Sequence, residues 1–198
     1  MTKKLRPYWL YVASGIKGKK QGGRDIVIDE WTNENLDPWD VDDKIKIYER
    51  QVKEWFLKRA TYLLRGNNYG LIVLMVCLSY LEGVEQYRKG RSSRPNHESK
   101  KFFRESLQRL YPGQFTEPQL NVFYDQARCG LFHNGMTEGM IVYSYDYPHP
   151  LDFSELGTIK VNPKILLKDI KKDFRKYLRE LYTNQNLRNN FNDMFSVT

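Results

Sequence analysis

The side chains best suited to chemistry lie together in Tyr124-Asp125-Gln126-Ala127-Arg128-Cys129-Gly130-Leu131-Phe132-His133-Asn134-Gly135. Arg128 and His133 stand five residues apart there, in the pattern R-x4-H. Arginine stays charged and offers a planar fork to phosphate oxygens. Histidine changes charge near neutrality and can take or give a proton. Together they suit binding a phosphate group and moving a proton beside it. The sequence has no GxxxxGK[ST] phosphate loop, no GxGxxG, no HExxH and no GxSxG. With three histidines (His97, His133, His149) and no CxxC pair, it predicts no metal site and no cofactor.

A helix must carry this pair, and residues 116–133 have its marks. Thr116 is the N-cap, Pro118 lies in the first turn, and Leu120, Phe123, Tyr124, Ala127 and Leu131 form an apolar face. Asn134-Gly135 end it. In an α-helix five residues turn through about 140°, so Arg128 and His133 do not share a stripe. Arg128 is long enough to reach across, the helix can loosen at Gly130, and a second subunit can complete the site.

Around this helix the period changes several times. Residues 1–40 are irregular, with strand-like runs RPYWLYVAS and RDIVIDEW pairing as a hairpin across a mobile GIKGKKQGG loop. From Asp40 to about Leu64 the spacing of Val41, Ile45, Tyr48, Val52 and Trp55 predicts an amphipathic helix. Residues 69–89 are apolar nearly all round for two turns, which marks a core or interface helix, and then turn polar at Glu82, Glu85 and Arg88. A basic helix follows at 98–110. Period-two runs at about 140–162 predict a β-hairpin, and residues 163–182 a last amphipathic helix before an Asn-rich tail expected to fray. The fold class is then mainly α, an antiparallel helical bundle with a hairpin before its last helix. Residues 1–40 form an extension and residues 41–198 the helical domain.

RCGLFHN resembles the R-x4–6-H motif of HEPN domains, the helical domains of nucleotide-binding and ribonuclease proteins. The apolar helix with Glu82 and Glu85 before it agrees, and the strand pair and closing helix after it resemble an uncharacterised bacterial HEPN-like branch. The resemblance covers roughly Lys44 to Leu181, and the motif's place in the helix order carries its weight. In many active members the residue after the arginine is Asn, Asp or His; here it is Cys129. The resemblance implies a homodimeric, metal-independent ribonuclease leaving 2′,3′-cyclic phosphate and 5′-hydroxyl ends. Arg128 and His133 would be its catalytic residues, and toxin–antitoxin or antiphage defence its setting. Asn134 would orient the histidine or the phosphate, and Glu82, Glu85 or Asp125 would hold Arg128. The alternative is a non-catalytic module that binds RNA or nucleotide, or partners a nucleotidyltransferase or an antitoxin.

Net charge is +8, unevenly spread. Residues 1–24 carry seven bases and no acid, residues 25–43 eight acids and no base. A basic balance permits attraction to RNA, DNA or acidic membranes. Beside the chemical reading stands a structural one: a histidine at a helix C-terminus suits the dipole, and an arginine before it can simply pair with a carboxylate. The longest apolar run, Leu71–Leu78, is too short for a bilayer span, so no membrane partner is expected. Cys77 and Cys129, inside apolar helical patterns, read as reduced thiols of a cytoplasmic protein.

Overall fold

The computed structural model describes residues 5–66, 68–95, 97–137 and 139–197, without the side chain of Asn134. The mainly α bundle expected from the sequence is overturned: helix covers 54% of the chain, but two β-sheets are built into it. The chain folds as two compact units. One comprises Met1–Arg59, Tyr87–Arg91 and Tyr177–Thr198, the other Ala60–Gln86 and Ser92–Lys176.

The first unit opens with an antiparallel sheet in the order β1 (Leu10–Ala13), β2 (Ile16–Gln21), β3 (Arg24–Asp29), β4 (Glu34–Leu36). The lysine- and glycine-rich stretch expected to be a loop is thus strand β2. Its Gly18 lies against Leu5, whose Cδ2 would be 2.9 Å from an added Cβ. A larger residue there must displace the Leu5 side chain, and Lys17 and Lys19 leave by the opposite face. Gly22 and Gly23, at φ 58° and 77°, make the tight turn into β3 that side chains resist.

Residues 41–63 form one helical run: α1 (Val41–Arg50), a π-helical segment π1 (Gln51–Leu57) and α2 (Lys58–Leu63). Asp40 caps it by accepting from the backbone N–H groups of Asp42 and Asp43. Arg50 grips Asp29 at 2.7 Å and donates to the Ser14 carbonyl at 3.2 Å, fixing α1 to the sheet. The tail does not fray but forms α7 (Gln185–Met194), capped by Asn184. Phe191 and Phe195 stack at 5.2 Å and meet Tyr48 and Tyr87, so apolar burial outweighs the poor helix propensity of asparagine.

The second unit centres on α3 (Gly70–Lys89), of which residues 70–86 lie here. Val73, Leu74, Cys77, Leu78 and Leu81 are fully buried. Over an 18-residue window α3 is long and apolar enough to cross a membrane, although no single apolar run in it is, and half of that window is buried in the protein. Around it stand α4 (Ser99–Leu110), α5 (Glu117–Phe123), the π-helical segment π2 (Tyr124–Asn134) and the start of α6 (Pro163–Thr183).

The expected hairpin is replaced by a three-stranded mixed sheet. In it β5 (Ile141–Tyr143) pairs parallel to β7 (Ile159–Val161), and β6 (Leu151–Asp152) lies antiparallel on the other edge of β7. Asn162 explains much of this. Its amide donates to the carbonyls of Tyr145 and Tyr147 at 2.9 and 2.7 Å, holding the intervening chain in a loop. Its oxygen accepts from the N–H groups of Lys164 and Ile165, capping α6. Pro148 and Pro150 lack the N–H that a continuous strand would need.

Candidate functional site

Thr116 starts the site helix as expected, in a capping box with Gln119. After seven α-helical residues the hydrogen bonding lengthens, and Tyr124–Asn134 are π-helical up to Gly135, whose φ of 74° ends the segment. This removes the difficulty in the spacing of the pair. In a π-helix each N–H bonds five residues back, so the residue five on stands about one turn above. Arg128 and His133 therefore share a face. Burial pushes the Tyr124 phenol above its ordinary range, against a smaller lowering by Arg128.

Arg128 is held from three sides. Its Nη2 donates to Glu82 Oε2 of α3 at 3.1 Å. Its guanidinium lies 5.6 Å from the ring centroid of Tyr124 and 5.2 Å from that of Phe132. Glu82 is positioned in turn by Ser93, whose hydroxyl donates to its other oxygen at 2.8 Å. Ser93 is buried and lies 3.2 Å from Ser99 at the start of α4. His133, one π-turn beyond, is exposed, as are Phe132 and Met136.

The remaining expected supports divide. Glu82 is brought to Arg128; Glu85 and Asp125 are engaged elsewhere. Glu85 points one turn further along α3 to Arg109 of α4, at 3.5 Å. Arg109 also bonds the Asp173 carboxylate and donates to Ser106 Oγ, and Asp173 accepts from the Tyr80 hydroxyl at 2.8 Å. This charged group lies in the interior of the unit, apart from Arg128. Asp125 is exposed and pairs with Lys100 at 2.8 Å. The side chain of Asn134 lies outside the described residues.

Sequence reasoning missed Ser93 and Ser99, which sit in an unpatterned loop and at a helix start. It also missed the aromatic clamp of Tyr124 and Phe132, although their positions four before and four after Arg128 were legible. Of the basic residues in the turn and helix before the site, Lys100, Lys101 and Arg104 bind Asp125, Glu98 and Glu117. They form a compensated helix face.

The arrangement presents an exposed imidazole above a guanidinium whose one side is neutralised by a carboxylate. It can bind a phosphate through the remaining N–H donors of Arg128 and exchange a proton through His133. No family model, curated protein or solved structure matches this chain.

Proposed function

We propose that the protein is a metal-independent ribonuclease that uses Arg128 and His133 in the manner suggested by its likeness to the HEPN motif. The observation that carries this reading is the π-helical register, which puts an R-x4-H pair on one face. In the reaction an imidazole takes the proton of a ribose 2′-hydroxyl while that oxygen attacks phosphorus. The bond from phosphorus to the 5′-oxygen breaks, and a protonated imidazole supplies the proton the 5′-oxygen needs. Arg128 binds the non-bridging oxygens as charge builds on them. One chain carries one such histidine, so the reading includes a homodimer in which two copies supply base and acid. Two free cysteines support a cytoplasmic setting, and toxin–antitoxin or antiphage defence is the setting that the motif suggests.

The experiment is RNA cleavage in EDTA by the wild type and His133→Ala. The expected result is cyclic phosphate ends from the wild type and no cleavage by a variant that melts at the wild-type temperature. Cleavage that persists in the variant refutes the assignment.

The ion pair of Arg128 with Glu82 favours a second reading. A guanidinium already matched by a carboxylate suits a module that binds RNA or nucleotide, alone or with a nucleotidyltransferase or antitoxin partner, and leaves the ligand intact. Salt-dependent RNA binding with no cleavage by a folded dimer would select it.

A further inference from the structure

The sheet of the first unit has one face turned to solvent, and its composition is unusual. Strand alternation and the register of β1, β2 and β3 assign that face. Tyr11 opposes Lys17, which opposes Ile28; Lys19 opposes Ile26, and Gln21 opposes Arg24. The neighbours of these residues along the strands, Val12, Ile16 and Val27, are buried on the other side. Tyr11 is 62% exposed and Trp9, just before β1, 39%. The ammonium groups of Lys17 and Lys19 lie 5.0 and 4.6 Å from the Trp9 ring centroid. Two aromatic rings and a row of cations therefore share one surface.

The charge on this surface is only partly matched. Lys17 is paired with Glu30 at 2.7 Å. Trp31, also exposed, is covered by the Arg50 guanidinium at 3.9 Å and belongs to the join with α1. Lys19 and Arg24 remain on a segment with seven bases and no acid among its first 24 residues. Such a surface suits a polyanion with flat apolar groups exposed along it. Unpaired bases on a phosphodiester backbone meet both requirements, whereas paired bases hide their faces from a sheet.

We propose that the solvent face of the β1–β3 sheet binds single-stranded nucleic acid, its bases stacking on Tyr11 and Trp9 and its phosphates lying along Lys19 and Arg24. The surface stands on its own residues and does not depend on the chemistry of Arg128 and His133.

The test uses the full chain carrying His133→Ala, so that RNA stays intact. Binding of fluorescent oligouridylate and oligothymidylate of about 12 nucleotides is followed by anisotropy across a salt series. Tyr11→Ala should weaken binding about five-fold or more, and Tyr11→Phe, which keeps the ring, should restore it. Lys19→Ala should lower the slope of log affinity against log salt by about 0.7. Affinities within two-fold of the parent for both alanine variants overturn the proposal, as does displacement of single strands by an equal concentration of an acidic peptide. Cleavage by the wild type with unchanged binding in the sheet variants would refute the sheet and leave the Arg128–His133 reading standing. Sheet-dependent binding without cleavage would do the reverse.

Discussion

Arg128 Nη2 donates to Glu82 Oε2 across 3.1 Å, joining the π-helical segment to the central helix of its unit. The bond fixes the guanidinium's direction and offsets part of its charge. Glu82→Gln keeps the shape and a hydrogen-bonding oxygen but removes the charge. The expected outcome is a lower KM for RNA, because Arg128 attracts phosphate more strongly. A kcat reduced by about 10-fold should accompany it, because the fork is held less firmly. Steady-state kinetics on a single-site oligonucleotide separates the two effects.

Arg128→Ala tests the same bond from the other side. It leaves the Glu82 carboxylate, 13% exposed at its side chain, without its cation. A stability loss of about 1–3 kcal/mol is expected in urea unfolding. Combining it with Glu82→Gln should recover part of that loss. A purely additive pair would mean that the two residues do not interact in solution.

The π register itself can be tested by length. Deleting Gly130 takes the segment back toward α-helical bonding, where residues four apart share a face. Arg128 and the histidine are then four apart, so phosphate binding and cleavage should survive, if weakened. Inserting an alanine after Gly130 separates them by six and should abolish cleavage while circular dichroism stays helical.

The interior group of Arg109, Glu85, Asp173 and Tyr80 predicts a stability effect and no catalytic one. Arg109→Ala strands two carboxylates that are both nearly inaccessible. A cost of about 3–5 kcal/mol is expected from chemical denaturation. Arg109 lies apart from the Arg128 bond, so activity per folded molecule should not change.

Asp42 gives the pH dependence. Its hydrogen bond to Arg188 of α7 holds the Asp42 carboxyl below its ordinary 3.8. A lowered folded value stabilises above the ordinary one and is lost as pH falls through the folded one. The Asp42 side chain is half exposed, so the difference between wild type and Asp42→Asn should be within about 1 kcal/mol near neutrality. It should close as pH drops below 3.8, as read by thermal melts over an acid series.

Sequence periodicity located the helices at 41–63, 70–89, 99–110, 117–134 and 163–183 because each buries one stripe or, for α3, nearly all of its surface. It found Thr116 and Gly135 because caps are local chemistry. It failed where the deciding contacts are distant. Strand β2 reads as a loop until Leu5 fills the space over Gly18. The parallel partner of β5 is visible only once Asn162 has tied down the chain between. The tail reads as polar until Phe191 and Phe195 are seen against Tyr48. At the candidate site Arg128 and His133 were legible from type and spacing, and Glu82 only as one of three carboxylates that could meet Arg128. The role given to Glu85 and Asp125 was not, because helix position alone does not say which of several cations a carboxylate meets.

The first unit is assembled from the beginning, a short middle piece and the end of the chain. On the ribosome, this unit is begun before the other and finished after it. Tyr48 must wait for Phe191 and Phe195, about 140 residues of synthesis later, which is roughly 7–28 s. The second unit, residues 60–86 and 92–176, has all of its parts before then. For that interval α1 carries Tyr48 without the two rings that cover it. A nascent chain halted before Phe191 should therefore recruit chaperones, and release of those chaperones would time the closing of the unit.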